Sequence, residues 1–391
     1  MLRSLDSGIS GLQAHQTMLD VTANNIANVN TTGFKSSSTQ FEDTLSEMMK
    51  SAGGSNAEVG STNPAQVGLG VKVAGIATNF TQGSTDSTGN PTDMMISGDG
   101  FFTVKSGGAT MYTRAGSFTF DADGNLAAPD GSLVQGWGAV NGSVPSGSAP
   151  LSNITLPKNS VAPAVATTTA TLSGNLPSDA AVGTAITETE GVYDSTGASR
   201  SLNLTFTKTA TGWNVAGADG TGATGTATMT FAGGVQTGAS SITVGGVTVD
   251  MSATTGYAAL QTATITGQDG RASGTLQSYS LSSDGSLVGS YSNGATVTLA
   301  QLALADFSNP DGLAKAGSSD YTPTIASGEA QLGVAGTNGL GSIVSGSLEM
   351  SNVDLTQEFS NLIVAQRGFE ANARIITTSD QILQDLNQMQ H

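Results

Sequence analysis

The chain has 391 residues, with 13 basic and 30 acidic side chains, a net charge of −17, no cysteine and two histidines. That balance excludes a nucleic-acid binder or an anionic-membrane binder, both of which need clustered Lys and Arg. The missing cysteines exclude disulfides, thiolate catalysis, zinc ribbons and iron–sulfur clusters, and two histidines cannot build the usual His-based metal and acid–base sites. Only 11% of residues are charged and 5% aromatic, with 52 Gly. This composition suits an exported structural protein better than a cytosolic enzyme, and the length implies two to four domains.

At the N-terminus, Met1-Leu2-Arg3 is followed by Ser4, Asp6, Ser7 and Gly8, so no apolar core of a cleaved signal peptide forms. Nor does any run approach the ~18 apolar residues of a membrane span. Leu5, Ile9, Leu12, Gln16, Leu19, Ala23 and Ile26 alternate at spacings of four and three, a heptad stripe that predicts a helix over 4–28, about 37 Å long. It ends in Asn24-Asn25-Ile26-Ala27-Asn28-Val29-Asn30-Thr31-Thr32-Gly33, which is rich in helix-stopping residues. His15 falls beside the stripe, where a surface position is expected. Residues 33–70, with Ser36-Ser37-Ser38 and Ser51-Ala52-Gly53-Gly54-Ser55, read as an extended linker.

The middle is β. Alternation in Gly100–Lys105 and Ala109–Arg114, joined through Ser106-Gly107-Gly108, and in Ser117–Phe120 before Asp121-Ala122-Asp123-Gly124, predicts half-buried antiparallel strands. Recurrent Asp-Gly and Asn-Gly pairs mark tight turns without a fixed period. Composition shifts near 145 and 284, and between them lie Thr-, Ala- and Gly-rich strands such as Leu202–Phe206 and a hairpin around Gly245-Gly246. The reading is an inner β domain of 71–144 plus 285–347, with an outer β domain, 145–284, inserted in it. At the C-terminus the stripe returns. Leu355, Phe359, Leu362, Gln366, Phe369, Ala373, Ile376, Asp380 and Leu383 predict a helix over 354–388, about 52 Å long, with Asp354 and Gln357 as a capping-box pair. Gln16 and Gln366 are polar seam positions of the kind that fix register, and a mid-helix Gly368 is expected where another backbone approaches closely.

The fold class is thus mixed and mainly β: terminal α-helices forming a coiled coil, plus two antiparallel β domains. The chemical motifs have plain readings. Asp121–Asn125 resembles the start of a calcium loop, but Ser132 stands where the bidentate acid is needed, so a hairpin turn is the better account. Gly98-Asp99-Gly100 and Gly68-Leu69-Gly70 lack the strand and helix context of a phosphate loop. His391 is terminal and has no ligand partner in sequence. No catalytic, cofactor or metal site emerges. A narrow terminal stripe cannot stay folded by helix propensity alone, so it needs a cover. That cover is either the other end of the chain or neighbouring copies, and the sequence favours the copies.

The two ends carry a recognisable signature. Ile9-Ser10-Gly11-Leu12 through Asn24, Asn25, Ile26, Ala27, Asn28, Gly33, Phe34 and Lys35 resembles the N-terminus of the flagellar rod and hook protein family. Val353-Asp354-Leu355 through Gln366, Arg367, Gly368 and Phe369 resembles its C-terminus, and Gly98–Phe102 with Tyr112–Gly116 its shared β domain. Gly368, Phe369 and His15 depart from the residues more common in that family. The resemblance implies export through the flagellar type III apparatus without signal cleavage. It also implies a homopolymeric tube lined by the terminal helices and contacts with the distal rod, the hook cap protein and the hook–filament junction protein. Residues 1–32 and 348–391 would form the inner-tube domain. Its seam would comprise Leu5, Ile9, Leu12, Leu19, Ile26, Leu355, Phe359, Leu362, Phe369, Ile376 and Leu383. The size of the 145–284 insert favours a hook subunit, a flexible extracellular joint transmitting torque from rod to filament. A rod subunit and a secreted β-rich adhesin are the alternatives.

Overall fold

The computed structural model describes residues 2–54, 61–140, 142–145, 149–157 and 160–389; His391 lies outside them. The chain divides into two compact units. The first comprises Met1–Leu156, Leu281–Leu287 and Thr298–His391, and the second Pro157–Ser280 with Val288–Val297.

The first unit holds both terminal helices, α1 (Leu2–Ala27) and α2 (Leu355–Gln388). Asp354 caps α2, its Oδ1 accepting from the Thr356 N–H at 2.8 Å and the Gln357 N–H at 3.3 Å. The capping box is only half made, because the Gln357 side chain donates forward to Asn361 at 3.1 Å. The same unit holds an antiparallel sheet in the order 133–138, 101–106, 109–113, 320–322 and 314–317. Alternation along these strands turns Phe101, Tyr112 and Tyr321 into one core with Phe307. The Phe101–Phe307 and Tyr112–Phe307 rings meet edge to face at 5.8 and 4.9 Å, a favoured aromatic geometry. Two short pairings, 94–97 with 342–345 and 85–87 with 347–349, bring the chain back toward the start of α2.

The segment expected as an extended linker is partly built into strands. Ser37–Asp43 pairs antiparallel with Val71–Thr78, and Ser46–Lys50 with Ala65–Gly68. The strand 71–78, read as the start of the inner β domain, therefore completes this ribbon. The cause is alternation that the serine-rich composition hid: Val71, Val73 and Gly75 are half-buried while Lys72, Ala74 and Ile76 face out.

In the second unit the strand order is 185–193, 199–208, 212–219, 224–232, 235–236, 247–255, 169–175 and 264–268, with 241–244 paired to 247–255. Gly245 and Gly246, at φ 57° and 86°, make the hairpin turn, where the left-handed region favours glycine. One pairing departs from an all-antiparallel sheet: 169–175 runs parallel to 247–255. Trp213, Phe206, Leu202, Leu204 and Val247 fill its core. The first break falls later than the composition shift at 145, because Ser152–Asn153 pair with Gln135–Gly136 and Ile154 is buried among first-unit residues. At the other end 288–297 groups with the second unit rather than with 285–347.

Candidate functional site

The helices pack antiparallel at a constant register. Gly8 lies against Ile375 and Ile376, Gly11 against the Asn372 side chain, His15 against Gly368, and Asn25 against Glu358. Small residues set this closeness: a Cβ on Gly11 would stand 2.8 Å from Asn372, and one on Gly368 2.5 Å from the His15 ring. Two expectations are corrected here. His15 is half-buried rather than fully exposed; it packs on Gly368 and 6.0 Å from the Phe41 ring, with its Nδ1 buried. Gly368 admits that imidazole, not a neighbouring backbone.

The packed faces are not the apolar stripes. Gly8, Gly11, Ala14, Thr22 and Asn25 are the buried positions of α1, and Glu358, Ala365 and Ser379 those of α2. Each packed face sits about one residue N-terminal to its stripe, a rotation of about 100° on a helix of 3.6 residues per turn. The stripes are left partly or wholly open: Ile9 is 39% exposed, Leu355 40%, Phe359 50% and Leu383 40%. Leu5, Leu12, Leu19, Ile26, Leu362, Phe369 and Ile376 are half-buried, and Gln16 and Gln366 are exposed rather than seam-buried.

The N-terminal signature converges on a buried junction at the base of the helices. The Asn25 amide donates to Ser37 O at 2.8 Å and to Glu358 Oε1 at 3.0 Å, while its Oδ1 accepts from the Ser37 N–H at 3.0 Å. Gly33, at φ 67°, donates to Glu349 O at 2.8 Å, and a Cβ there would stand 2.4 Å from the Ala115 nitrogen. Next comes Lys35, whose side chain is 1% exposed and meets the fully buried Glu349 at 2.6 Å. Lys35 also donates to Thr81 O at 2.8 Å, and the Gly83 N–H to the same Glu349 oxygen at 2.9 Å. Arg114 stands 3.6 Å from the other Glu349 oxygen, a charge contact beyond hydrogen-bond range, and its guanidinium lies over Phe101. Burial pulls the Lys35 ammonium and the Arg114 guanidinium below their ordinary values, against the opposing pull of Glu349. Asn352 ties the start of α2 to the same place, accepting from the Ser36 N–H at 2.8 Å and donating to Asn79 O at 2.8 Å. Phe34 lies beneath the Lys315 ammonium at 5.2 Å.

Such an arrangement is a fastening between the start of α2, the end of α1 and the strands beside them. Asn24, Gln366 and Arg367, singled out from the signature, are exposed and do not enter the junction, nor does the half-buried Ile26; Asn24 and Asn28 line a cavity beside it. Glu349, Arg114, Asn352 and Glu358 were not singled out from sequence. Arg114 and Glu358 fall within the signature stretches, and nothing local marks Glu349 or Asn352. Asp121 behaves as a turn residue, its carboxylate accepting from the Asn125 N–H at 2.7 Å and from its amide at 2.8 Å. Among the described residues no group of three or more His, Asp or Glu converges as a metal site, and no helix is long and apolar enough to cross a membrane.

Comparison with known proteins agrees with the signature. Three family models match in chain order: a flagella basal body rod protein model at 5–35, the flagellar hook protein FlgE/F/G D1 domain at 95–170, and the flagellar basal body rod FlgEFG C-terminal model at 344–389. The flagellar hook protein FlgE of Borreliella burgdorferi is 38% identical, covering 99% of this chain and 99% of its own. This chain belongs to the flagellar hook and rod protein family. The Salmonella typhimurium hook protein FlgE is 37% identical over 98% of this chain and 99% of its own. A basal-body rod protein, FlgG of Bacillus subtilis, is 32% identical over 99% and 98%. Among solved structures, the Helicobacter pylori hook protein FlgE2 is similar at 14% identity and a TM-score of 0.49, covering 68% of this chain and 100% of that one.

Proposed function

We propose that the chain is the structural subunit of a bacterial flagellar hook. Copies pack side by side and head to tail into a curved tube that carries torque from the rod to the filament. The terminal helices line the tube. The observation that carries this reading is the displacement of each apolar stripe from the intrachain seam. The helices already cover one another with small and polar residues, so the Leu, Ile and Phe stripe is left for neighbouring copies. Each such side chain contributes roughly 1.5–3 kcal/mol when buried. The same reading makes Leu5, Ile9, Leu12, Leu19, Ile26, Leu355, Phe359, Leu362, Phe369, Ile376 and Leu383 the assembly seam. Its other contacts would be the distal rod, the hook cap, the hook–filament junction protein and the type III export apparatus, reached without signal cleavage.

A rod subunit remains the second reading, because the Bacillus rod relative aligns along nearly all of this chain; the size of the insert alone does not separate the two. An epitope tag after Val182, an exposed position in the second unit, separates them by immunogold electron microscopy. Gold confined to a short curved segment between cell surface and filament is the expected result. Label only on a straight shaft inside the envelope would mean a rod subunit, and label scattered over the cell an adhesin.

A further inference from the structure

Asn-Gly pairs occur at 141–142, 293–294 and 338–339. Asn141 lies outside the described residues, and the other two pairs occupy turns that differ in what holds them. An asparagine side-chain amide is open to attack by the backbone nitrogen of the next residue. Glycine, with no Cβ, obstructs that approach least.

At 293 each reacting group is engaged. The half-buried Asn293 donates from Nδ2 to Ala272 O at 2.7 Å, and its Oδ1 accepts from the Ala295 N–H at 3.1 Å. The attacking nitrogen is held too, since the Gly294 N–H donates to Tyr291 O at 3.0 Å. At 338 the same groups are free. Asn338 and Gly339 are exposed, at φ 52° and 86°, in a turn closed by the Leu340 N–H on Thr337 O at 2.9 Å. Neither the Asn338 amide nor the Gly339 N–H has a hydrogen-bond partner among the described residues. A Cβ on Gly339 would meet no atom within 4 Å, so water and base reach this nitrogen.

We propose that Asn338–Gly339 is a site of spontaneous deamidation, which turns Asn338 into aspartate and isoaspartate while Asn293 keeps its amide. Solvent base takes the Gly339 N–H proton, and the nitrogen forms a bond to Asn338 Cγ. The Cγ–Nδ2 bond breaks, and ammonia leaves with a proton from water. Water then opens the resulting cyclic imide. Opening at Cγ gives aspartate at 338; opening at the main-chain carbonyl gives isoaspartate, whose chain runs on through the side chain. The sum is amide plus water to carboxylate plus ammonium, with no change of oxidation state. Each event adds a negative charge. The isoaspartate form also adds a backbone methylene two bonds' reach from Leu340, which is buried over Gly333 and Gly100.

The test uses the full chain, incubated folded in mildly alkaline heavy-oxygen water and then mapped by peptide mass spectrometry. Heavy oxygen is expected at 338 in two chromatographically distinct peptides, aspartate and isoaspartate. Incorporation at 293 should be at least about tenfold slower, because its hydrogen bonds must open first. In urea the two sites should react at similar rates, since the protection at 293 comes from the fold. Asn338→Gln, whose longer side chain does not close the same ring, should lose the signal at 338; its circular dichroism and melting should match the unaltered chain, because the site is exposed. Equal rates at 338 and 293 in the folded chain overturn the proposal, as does an intact amide at 338. Aspartate alone, without isoaspartate, overturns the backbone attack. Protection of 293 that persists in urea overturns the structural cause.

Discussion

Lys35 and Glu349 are 314 residues apart in sequence and 2.6 Å apart in the fold. Removing one member of a buried ion pair strands the other's charge, at a cost of about 3–5 kcal/mol. Lys35→Met is therefore expected to lower the urea-unfolding free energy of the first unit by about 3 kcal/mol, at the low end because Arg114 still faces Glu349. A second residue-scale prediction concerns Asp320, whose carboxyl is pushed up from 3.8 to about 6 by burial and by the Asp130 charge. Between those values the folded protein holds a proton that the unfolded chain has lost, so this group's contribution to stability falls as pH rises from about 4 to 6. Asp320→Asn is expected to be more stable than the unaltered chain at pH 7, by about 1–2 kcal/mol given the partial solvent access of the cavity wall. That advantage should disappear at pH 4, which thermal melts at the two pH values will show. The signature residues Asn25, Gly33 and Lys35 were legible as a motif, but what they hold was not. Glu349 is an acid between Leu348 and Met350, and only the return of the chain through 347–349 reveals it as a partner.

Helix existence, cap and length were readable from spacing: α1 and α2 end within two residues of their expected bounds. The face each helix presents inward was not, because hydrophobic periodicity identifies a stripe but not what covers it. Here the stripe and the intrachain seam are different faces. Small residues at Gly8, Gly11, Ala14, Ala365 and Gly368 let the two helices approach, and small residues leave little trace in a hydrophobicity pattern. His15 and Gly368, two departures from the usual family residues, form one pair: the glycine makes room for the ring. Gly368→Ala should gain about 1 kcal/mol in helix propensity, yet lose more through overpacking of 1–3 kcal/mol against the imidazole. Adding His15→Ala should recover the loss, giving a coupling of about 1 kcal/mol in a double-mutant cycle. Additive effects of the two substitutions would mean that the ring does not sit over Gly368.

At the scale of the whole molecule, composition and periodicity pointed to a β-rich body with helical ends. Pairings distant in sequence shifted the boundaries: 152–154 packs with the first unit, and 37–50 folds onto 65–78. Neither pairing has a local signal beyond short alternation, since strand partners are chosen by non-local packing. The same limit applies to assembly. A stripe that the chain covers only in part shows in the structure as exposed Ile9, Leu355, Phe359 and Leu383, and on the reading proposed above a polymer would bury them. The most direct measurement is maleimide labelling of a Phe359→Cys variant, in dilute monomer and in assembled polymer. Rapid labelling of the monomer with at least about tenfold protection in the polymer is predicted, because Phe359 is half open in the single chain and covered by a neighbouring copy in the tube. Equal labelling in both states would contradict the account, since the apolar stripe would then not be the surface through which copies join.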